Sequence, residues 1–189
     1  AHAGMDPPVD ALVFATLAFA SYPAHLLADH PFQPSQWAAA KGRCSHEGRT
    51  ACAKHVAVVV AFQAAVVLAV VALTGLTVDP LAVAAGLVLT GWSHYWIDRR
   101  FTAAGLFAAI GKSEFASLGV PRPGHDDNPS LGTGAYRMDQ DWHITWIAIV
   151  ALVMASTGLM LAVLVSLAVV LMVAAILASR HGRRRIAQV

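Results

Sequence analysis

The chain has 189 residues, of which 57% are hydrophobic and 13% are charged. Soluble domains carry about 25% charged residues, so the composition excludes an ordinary soluble domain and predicts an all-α integral membrane protein. The basic residues are concentrated in residues 41–54 and 180–185, which is typical of cytoplasmic segments of a membrane protein rather than of a nucleic-acid-binding surface.

Five apolar stretches predict a bundle of about five transmembrane helices in a single domain. Asp10 and the Asp79-Pro80 pair provide the cap and first-turn residues that start the first and third helices. The last apolar run exceeds the ~30 Å hydrocarbon core of a bilayer, and Ser156-Thr157-Gly158 breaks it in two. The alternative is one long tilted helix there and four spans in total. The predicted spans are about 11–29, 52–75, 80–98, 141–156 and 159–179.

A long loop of about forty residues, 100–139, separates the third and fourth spans. Loops of this length are usually functional or disordered. Residues 103–118 are apolar but too few to cross a bilayer, so they predict a short interfacial or re-entrant helix. Residues 119–134 are rich in proline, glycine and aspartate, which indicates an irregular loop or lid.

The positive-inside rule orients these spans. With five spans and the arginine-rich tail in the cytoplasm, the N-terminus lies outside. The first loop and the 100–139 loop then fall in the cytoplasm, and both are basic. The short turn before Pro80 carries no positive charge and falls outside.

Histidines and aspartates recur at a spacing of four near the predicted cytoplasmic ends of the spans. Residues four apart share one side of a helix, and ionisable groups at a membrane span are costly, which makes them functional candidates. The sequence therefore predicts one shared site at the cytoplasmic interface. The candidate metal ligands are His25, Asp29, His55, His94, Asp98 and His143, with Asp139 as a further ligand or catalytic base, and His30, Gln140 and Asp141 as supporting residues.

Mixed histidine and aspartate ligands favour zinc, iron or manganese over calcium or magnesium. This set exceeds the needs of one tetrahedral ion, so it would suit one ion with supporting groups, or two adjacent ions. A separate zinc site would use the loop residues Cys44, His46 and Cys52 together with His55. That spacing fits no familiar zinc module.

Four stretches of the sequence also carry a resemblance to a known family. They are His25-Leu-Leu-Ala-Asp29-His-Pro-Phe-Gln33 with Trp37 and Lys41, the lone His55, His94-Tyr-Trp-Ile-Asp98, and Asp139-Gln140-Asp141-Trp142-His143. Together they resemble a family of small bacterial and phage integral membrane proteins known as a domain of unknown function. Its motifs are His-Leu-Leu-x-Asp-x-x-x-Gln, a lone His, His-x-x-x-Asp and Asp-Gln-x-x-His. The resemblance implies a multi-pass protein of the bacterial plasma membrane and supports the site residues without naming a reaction.

The first functional hypothesis is a metal-dependent hydrolase that acts on a lipid or phosphoester at the cytoplasmic interface, with the 100–139 loop as a lid. The pattern of histidines and aspartates at membrane spans is similar in style to that of membrane-bound metal-dependent hydrolases. The second hypothesis is a non-enzymatic protein: a metal or proton-coupled transporter, or a partner-binding component of a mobile element. The third hypothesis is that paired histidines ligate a haem group. We expect membrane lipids and no nucleic acid as partners, and leave a homo-oligomer open.

Overall fold

The computed structural model describes residues 8–124 and 132–188, and these residues form eight helices. The helices are α1 (Ala11–Asp29), α2 (Ser35–Ala40), α3 (His46–Thr74), α4 (Pro80–Asp98), α5 (Phe101–Ala109), α6 (Ser113–Ser117), α7 (Gly134–Met154) and α8 (Gly158–Ile186). Within the described ranges there is no strand, and one isolated bridge pairs Val9 with Ser156. The architecture is all-helical, as the composition predicted.

Side-chain caps fix the starts of α1 and α4. The carboxylate of Asp10 accepts hydrogen bonds from the backbone nitrogens of Leu12 and Val13, each at 2.9 Å. Asp79 accepts one from the backbone nitrogen of Leu81 at 2.8 Å. These bonds satisfy backbone donors that have no partner inside a helix, which is why the two aspartates mark helix starts in the sequence.

The helices α3 and α7 begin earlier than the apolar runs within them. Ser45 caps α3 through the backbone nitrogen of Gly48 at 3.1 Å, so the helix starts at His46 rather than near residue 52. Thr133 caps α7 through the backbone nitrogen of Tyr136 at 3.2 Å. Part of each predicted loop is therefore helical, and positions 139 and 143 lie within one continuous helix.

Four helices form a closed ring in which each packs against two neighbours. The helix α1 contacts α3 and α7, and α4 also contacts α3 and α7. One end of the ring interior is apolar and contains Val13, Leu17, Val67, Leu89 and Val150, all buried. Polar side chains occupy the other end, so the ring has one packed apolar half and one polar half.

Three helices, α1, α3 and α8, are long and apolar enough to cross a membrane, which indicates a membrane protein. This is fewer than the five spans predicted from the sequence. The two other ring helices carry polar ends that lower their hydropathy: α4 ends with His94 and Asp98, and α7 begins with Arg137, Asp139 and Asp141.

Large apolar side chains cover the outward sides of the three candidate spans. Phe19 on α1, Leu73 on α3 and Leu159 on α8 are 82%, 86% and 82% exposed, respectively. In a membrane protein these side chains contact lipid, so their exposure does not indicate an interface with another protein.

The helix α8 packs mainly on α5, outside the ring. A Cβ atom at Gly182 would lie 1.9 Å from the carbonyl oxygen of Gly105, so the two backbones touch only because both residues are glycines. Ser179 donates a hydrogen bond to the carbonyl oxygen of Thr102 at 2.7 Å. The single interfacial helix predicted over 103–118 is instead two helices, α5 and α6, separated near Gly111, which has φ 72°.

Replacing Gly182 by alanine should destabilise the protein, although alanine favours a helix over glycine by about 1 kcal/mol. The added methyl group meets the backbone of Gly105 and pushes α8 away from α5, at a cost of about 1–3 kcal/mol. We expect a lower midpoint of thermal unfolding in detergent.

Gly91→Ala in α4 is the matched control. Its added Cβ would lie 3.4 Å from Val60 Cγ2 of α3, which is an ordinary van der Waals contact. That variant should keep or raise the wild-type midpoint. Equal midpoints for the two variants would contradict the proposed close approach of α5 and α8.

Candidate functional site

All the predicted site residues lie at the polar end of the ring. Each ring helix contributes: His25 and Asp29 from α1, His55 from α3, His94 and Asp98 from α4, and Asp139 and His143 from α7. All but Asp139 are buried, and the side chain of Asp139 is 25% exposed. Segments far apart in the sequence therefore meet at one place.

The centre of this cluster consists of one carboxylate oxygen from each of Asp29 and Asp98 and one imidazole nitrogen from each of His55 and His94. The two Nε2 atoms are 2.9 Å apart. Nε2 of His55 lies 3.0 Å from Asp29 Oδ1 and 3.2 Å from Asp98 Oδ2. Nε2 of His94 lies 3.7 Å and 3.2 Å from the same two oxygens. A metal with four tetrahedral ligands at about 2.0–2.1 Å keeps its ligand atoms about 3.3 Å apart. These four atoms have that spacing.

The two central carboxylate oxygens, Asp29 Oδ1 and Asp98 Oδ2, are buried without a hydrogen-bond donor. Their companion oxygens have partners: Gln140 Nε2 donates to Asp29 Oδ2 at 3.3 Å, and Lys41 Nζ lies 2.9 Å from Asp98 Oδ1. Buried acceptors are rarely left unpaired. The residues therefore fit a metal ion, which would satisfy both orphaned oxygens while the second oxygen of each carboxylate is held by a supporting group.

Gln33 supports the same centre from the segment between α1 and α2. In the amide orientation that satisfies its neighbours, its oxygen accepts from Nδ1 of His55 at 2.7 Å and from Lys41 Nζ at 3.1 Å. A proton on Nδ1 leaves the Nε2 lone pair of His55 free, which is the tautomer that a metal requires.

Lys41 is a buried cation between the two central aspartates. Its Nζ lies 2.9 Å from Asp98 Oδ1 and 3.6 Å from Asp29 Oδ1. Burial alone would lower the pKa of Lys41, but the carboxylates of Asp98 and Asp29 raise this pKa above its ordinary value. The lysine therefore stays charged at neutral pH and offsets part of the negative charge.

Two further groups overlap the centre. Ligand atoms of His25, His94 and His143 lie within 4.8 Å of one another, and so do those of Asp98, Asp139 and His143. Nε2 of His143 lies 3.6 Å from Asp139 Oδ2 and 3.9 Å from Asp98 Oδ1. These groups share His94, Asp98 and His143 with one another or with the centre, so His25, Asp139 and His143 are the donors outside the four central residues.

The spacing of four did not identify every contact correctly. Asp29 meets His55 and His94 rather than His25, one helical turn away. The ring of His25 instead packs 4.7 Å from that of His143, and its Nε2 has no hydrogen-bond partner. Asp29 is the last residue of α1 and reaches the mouth of the cluster, whereas His25 faces its inner side.

Other residues weighed from the sequence lie outside the centre. His30 contacts the Tyr136 hydroxyl at 2.8 Å, and Asp141 pairs with Arg137 at 2.8 Å at the surface. In the alternative zinc set, Cys52 Sγ lies 3.6 Å from the carbonyl oxygen of Tyr95, and both Cys44 and His46 are exposed. Since His55 faces His94, this set is not assembled. The predicted lid falls partly at 125–131, outside the described residues.

A cavity of about 530 Å³ adjoins the cluster and has one polar and one apolar side. The polar side includes Asp29, Lys41, Asp98 and Asp139, and the apolar side is formed by Ala103, Ala104 and Phe107 of α5. Arg100 and Tyr136 also line it. This shape and chemistry would accommodate a molecule with a polar reacting group and an apolar remainder.

Lys41 and Gln33 were not assigned to the site by the sequence analysis. Both lie outside the long helices, in a segment where basic and amide residues are ordinary. The available signal was the family resemblance, because Gln33 ends the stretch that begins at His25 and Lys41 is named with that stretch.

Replacing Lys41 by methionine should destabilise the protein at pH 7 in the presence of EDTA. A lysine whose pKa is raised by folding contributes its full stabilisation below the ordinary lysine pKa and loses it only as the pH rises through the folded value. Removing this ammonium leaves buried carboxylates undercompensated, at a cost of about 3 kcal/mol or more.

Lys54→Met is the matched control, because Lys54 is exposed on α3. Thermal unfolding in detergent should separate the two variants clearly. A Lys41→Met protein as stable as the control would show that the aspartates do not need this cation.

A family model with the description "Protein of unknown function (DUF3307)" matches residues 17–173. The match runs from α1 into α8 and includes every candidate site residue. Comparisons with curated proteins and with solved structures gave no match. Since the match covers most of its length, the chain belongs to the family described as Protein of unknown function (DUF3307).

Proposed function

We propose that the protein is a metal-dependent, membrane-embedded hydrolase whose site lies at the cytoplasmic end of the helix ring. The observation that carries this proposal is the pair of orphaned oxygens, Asp29 Oδ1 and Asp98 Oδ2, facing two imidazole nitrogens at metal-ligand spacing. Two buried carboxylates are unfavourable without compensating positive charge; Lys41 supplies part of it, and a metal ion at the four central atoms would supply the rest.

The ligands of the ion would be Asp29, His55, His94 and Asp98, while His25, Asp139 and His143 offer donors for a second ion. Such a donor set suits zinc, iron or manganese. A divalent transition metal held there would supply Lewis-acid activation of water and polarisation of a substrate oxygen.

Asp139 has the position expected of a general base. It is the most exposed of the seven candidate ligands, it lines the 530 Å³ cavity, and its Oδ2 lies 3.6 Å from His143 Nε2. A carboxylate there can accept a proton from an attacking water, and the nearby imidazole can stabilise or relay that proton. Lys41, also on the cavity wall, can stabilise negative charge that develops on the substrate.

The cavity favours an amphiphilic substrate such as a lipid or a phosphoester with an apolar group. Its lining includes carboxylates and an ammonium, while α5 contributes the apolar residues Ala103, Ala104 and Phe107. Arg100, which also lines the cavity, can contact a phosphate or carboxylate of the substrate. A site of this kind would draw its substrate from the membrane surface.

We infer five membrane crossings with the N-terminus outside and the C-terminus in the cytoplasm. The helices α4 and α7 lie side by side and close the ring with α1 and α3, so they would cross the membrane with them. With 19 residues α4 is about 29 Å long, close to the thickness of the hydrocarbon core. The basic segments around Lys41 and at the end of α8 orient the bundle.

Transport of a metal ion or proton is the alternative that the cluster allows. Beyond the histidines a small cavity of about 20 Å³ adjoins Gln63, which donates a hydrogen bond to Ser21. Further along, the ring interior is packed with Leu17, Val67 and Leu89. A closed apolar half favours chemistry at one end over passage through the ring.

The protein purified without chelators should contain at least one equivalent of a transition metal. His55→Ala and Asp98→Asn should each fall below ~0.2 equivalents, because each removes a buried ligand. Elemental analysis of the folded fraction measures this. His46→Ala is the matched control, because His46 is exposed and outside the cluster. Full metal content in His55→Ala would remove the basis of the proposal.

Asp139→Asn should retain the metal and lose hydrolysis by roughly 10²–10⁴-fold, the usual contribution of a general base. Synthetic phosphoester and acyl-ester lipids in mixed micelles are suitable substrates for the assay. Asp141→Asn, at an exposed position of the same helix, should keep wild-type activity. Loss of metal together with activity would identify Asp139 as a ligand instead of a base. Ion flux in proteoliposomes without hydrolysis would favour transport.

A further inference from the structure

A second polar cavity, separate from the cluster of histidines and aspartates, lies where α3, α4 and α5 meet. It has a volume of about 300 Å³ and is lined by Cys44, Arg49, Tyr95, Trp96, Arg99, Phe101 and Thr102. Two of these residues are cationic and three are aromatic, and none of this described lining is acidic. Such a composition attracts an anion and excludes a cation.

Arg99 is the unusual member of this lining. It is only 4% exposed, and its Nη2 donates to the carbonyl oxygen of Arg43 at 2.5 Å. Its Nη1 is buried and has no hydrogen-bond partner. A buried guanidinium with an unused donor is unfavourable, because Nη1 has lost water without gaining an acceptor. The free energy of this group would improve if an anionic oxygen entered the cavity.

Further positive charge surrounds the same place. The guanidinium carbons of Arg99 and Arg183 each lie 5.4 Å from the centre of the Phe101 ring. Nε of Arg183 is likewise buried without a hydrogen-bond partner. Arg49, which is exposed, lines the outer side of the cavity. The described side chains thus present several guanidinium groups around one aromatic ring.

We propose that this cavity binds a phosphate group, at a site separate from the cluster of histidines and aspartates. Guanidinium donors match phosphate oxygens in geometry and charge, which is why arginine predominates at phosphate sites. The cavity opens at the end of α4, where Tyr95 and Trp96 are residues typical of a membrane interface. Its ligand can therefore come from two sources, the headgroup of an anionic phospholipid or a free phosphate.

The test measures binding to the purified full-length protein in detergent by native mass spectrometry, with phosphatidylglycerol, phosphatidylcholine and inorganic phosphate as probes. We expect phosphatidylglycerol to bind at least about tenfold more tightly than phosphatidylcholine, as charge-assisted hydrogen bonds would provide. Arg99→Gln and Arg49→Gln should each weaken that binding by a similar factor. Arg184→Gln, an exposed change of the same charge, is the matched control and should bind as the wild type does.

Two controls make the result decisive. Arg49 is exposed, so Arg49→Gln tests the cavity even if Arg99→Gln fails to fold. The metal content of Arg49→Gln should equal that of the wild type, which separates failure of this site from failure of the metal site. Binding of inorganic phosphate that depends on Arg49 would identify free phosphate as the source. Equal binding of all probes by wild type and Arg49→Gln would overturn the proposal.

Discussion

The burial of two aspartates, Asp29 and Asp98, is the constraint on which the rest of the structure depends. A buried carboxylate is stable only with donors or cations around it. Here α3 supplies His55, α4 supplies His94, and the segment between α2 and α3 supplies Lys41. The need to compensate the two charges therefore links α1, α3 and α4 at this end of the ring.

This constraint also explains why the ring has two different halves. Side chains in the apolar half, such as Leu17 and Val67, are buried and need only fill space. The polar half gathers side chains from every ring helix, and the cavity beside Asp139 and Lys41 adjoins it. The proposed chemistry would take place at the outer side of the polar half, where the cavity offers α5 to the apolar part of a substrate and Asp139 and Lys41 to its polar group.

The sequence was sufficient for features that follow from local rules. The caps at Asp10 and Asp79, and the polar cluster drawn from four helices, could be predicted because caps and helical spacing are properties of nearby residues. Lys41 could not be placed, because its position depends on how the segment between α1 and α3 folds over the ring. The same applies to His25, since spacing of four gives the side of a helix but not the partner across the interface.

The way α5 is held has a mechanical consequence. This short helix forms the apolar wall of the cavity beside the cluster, yet its backbone is seated on α8 through Gly105 and Gly182. A membrane helix changes its tilt when the thickness of the surrounding bilayer changes. Tilting of α8 would displace the wall of the cavity, so the width of this cavity would depend on the lipid composition of the membrane in which the protein resides.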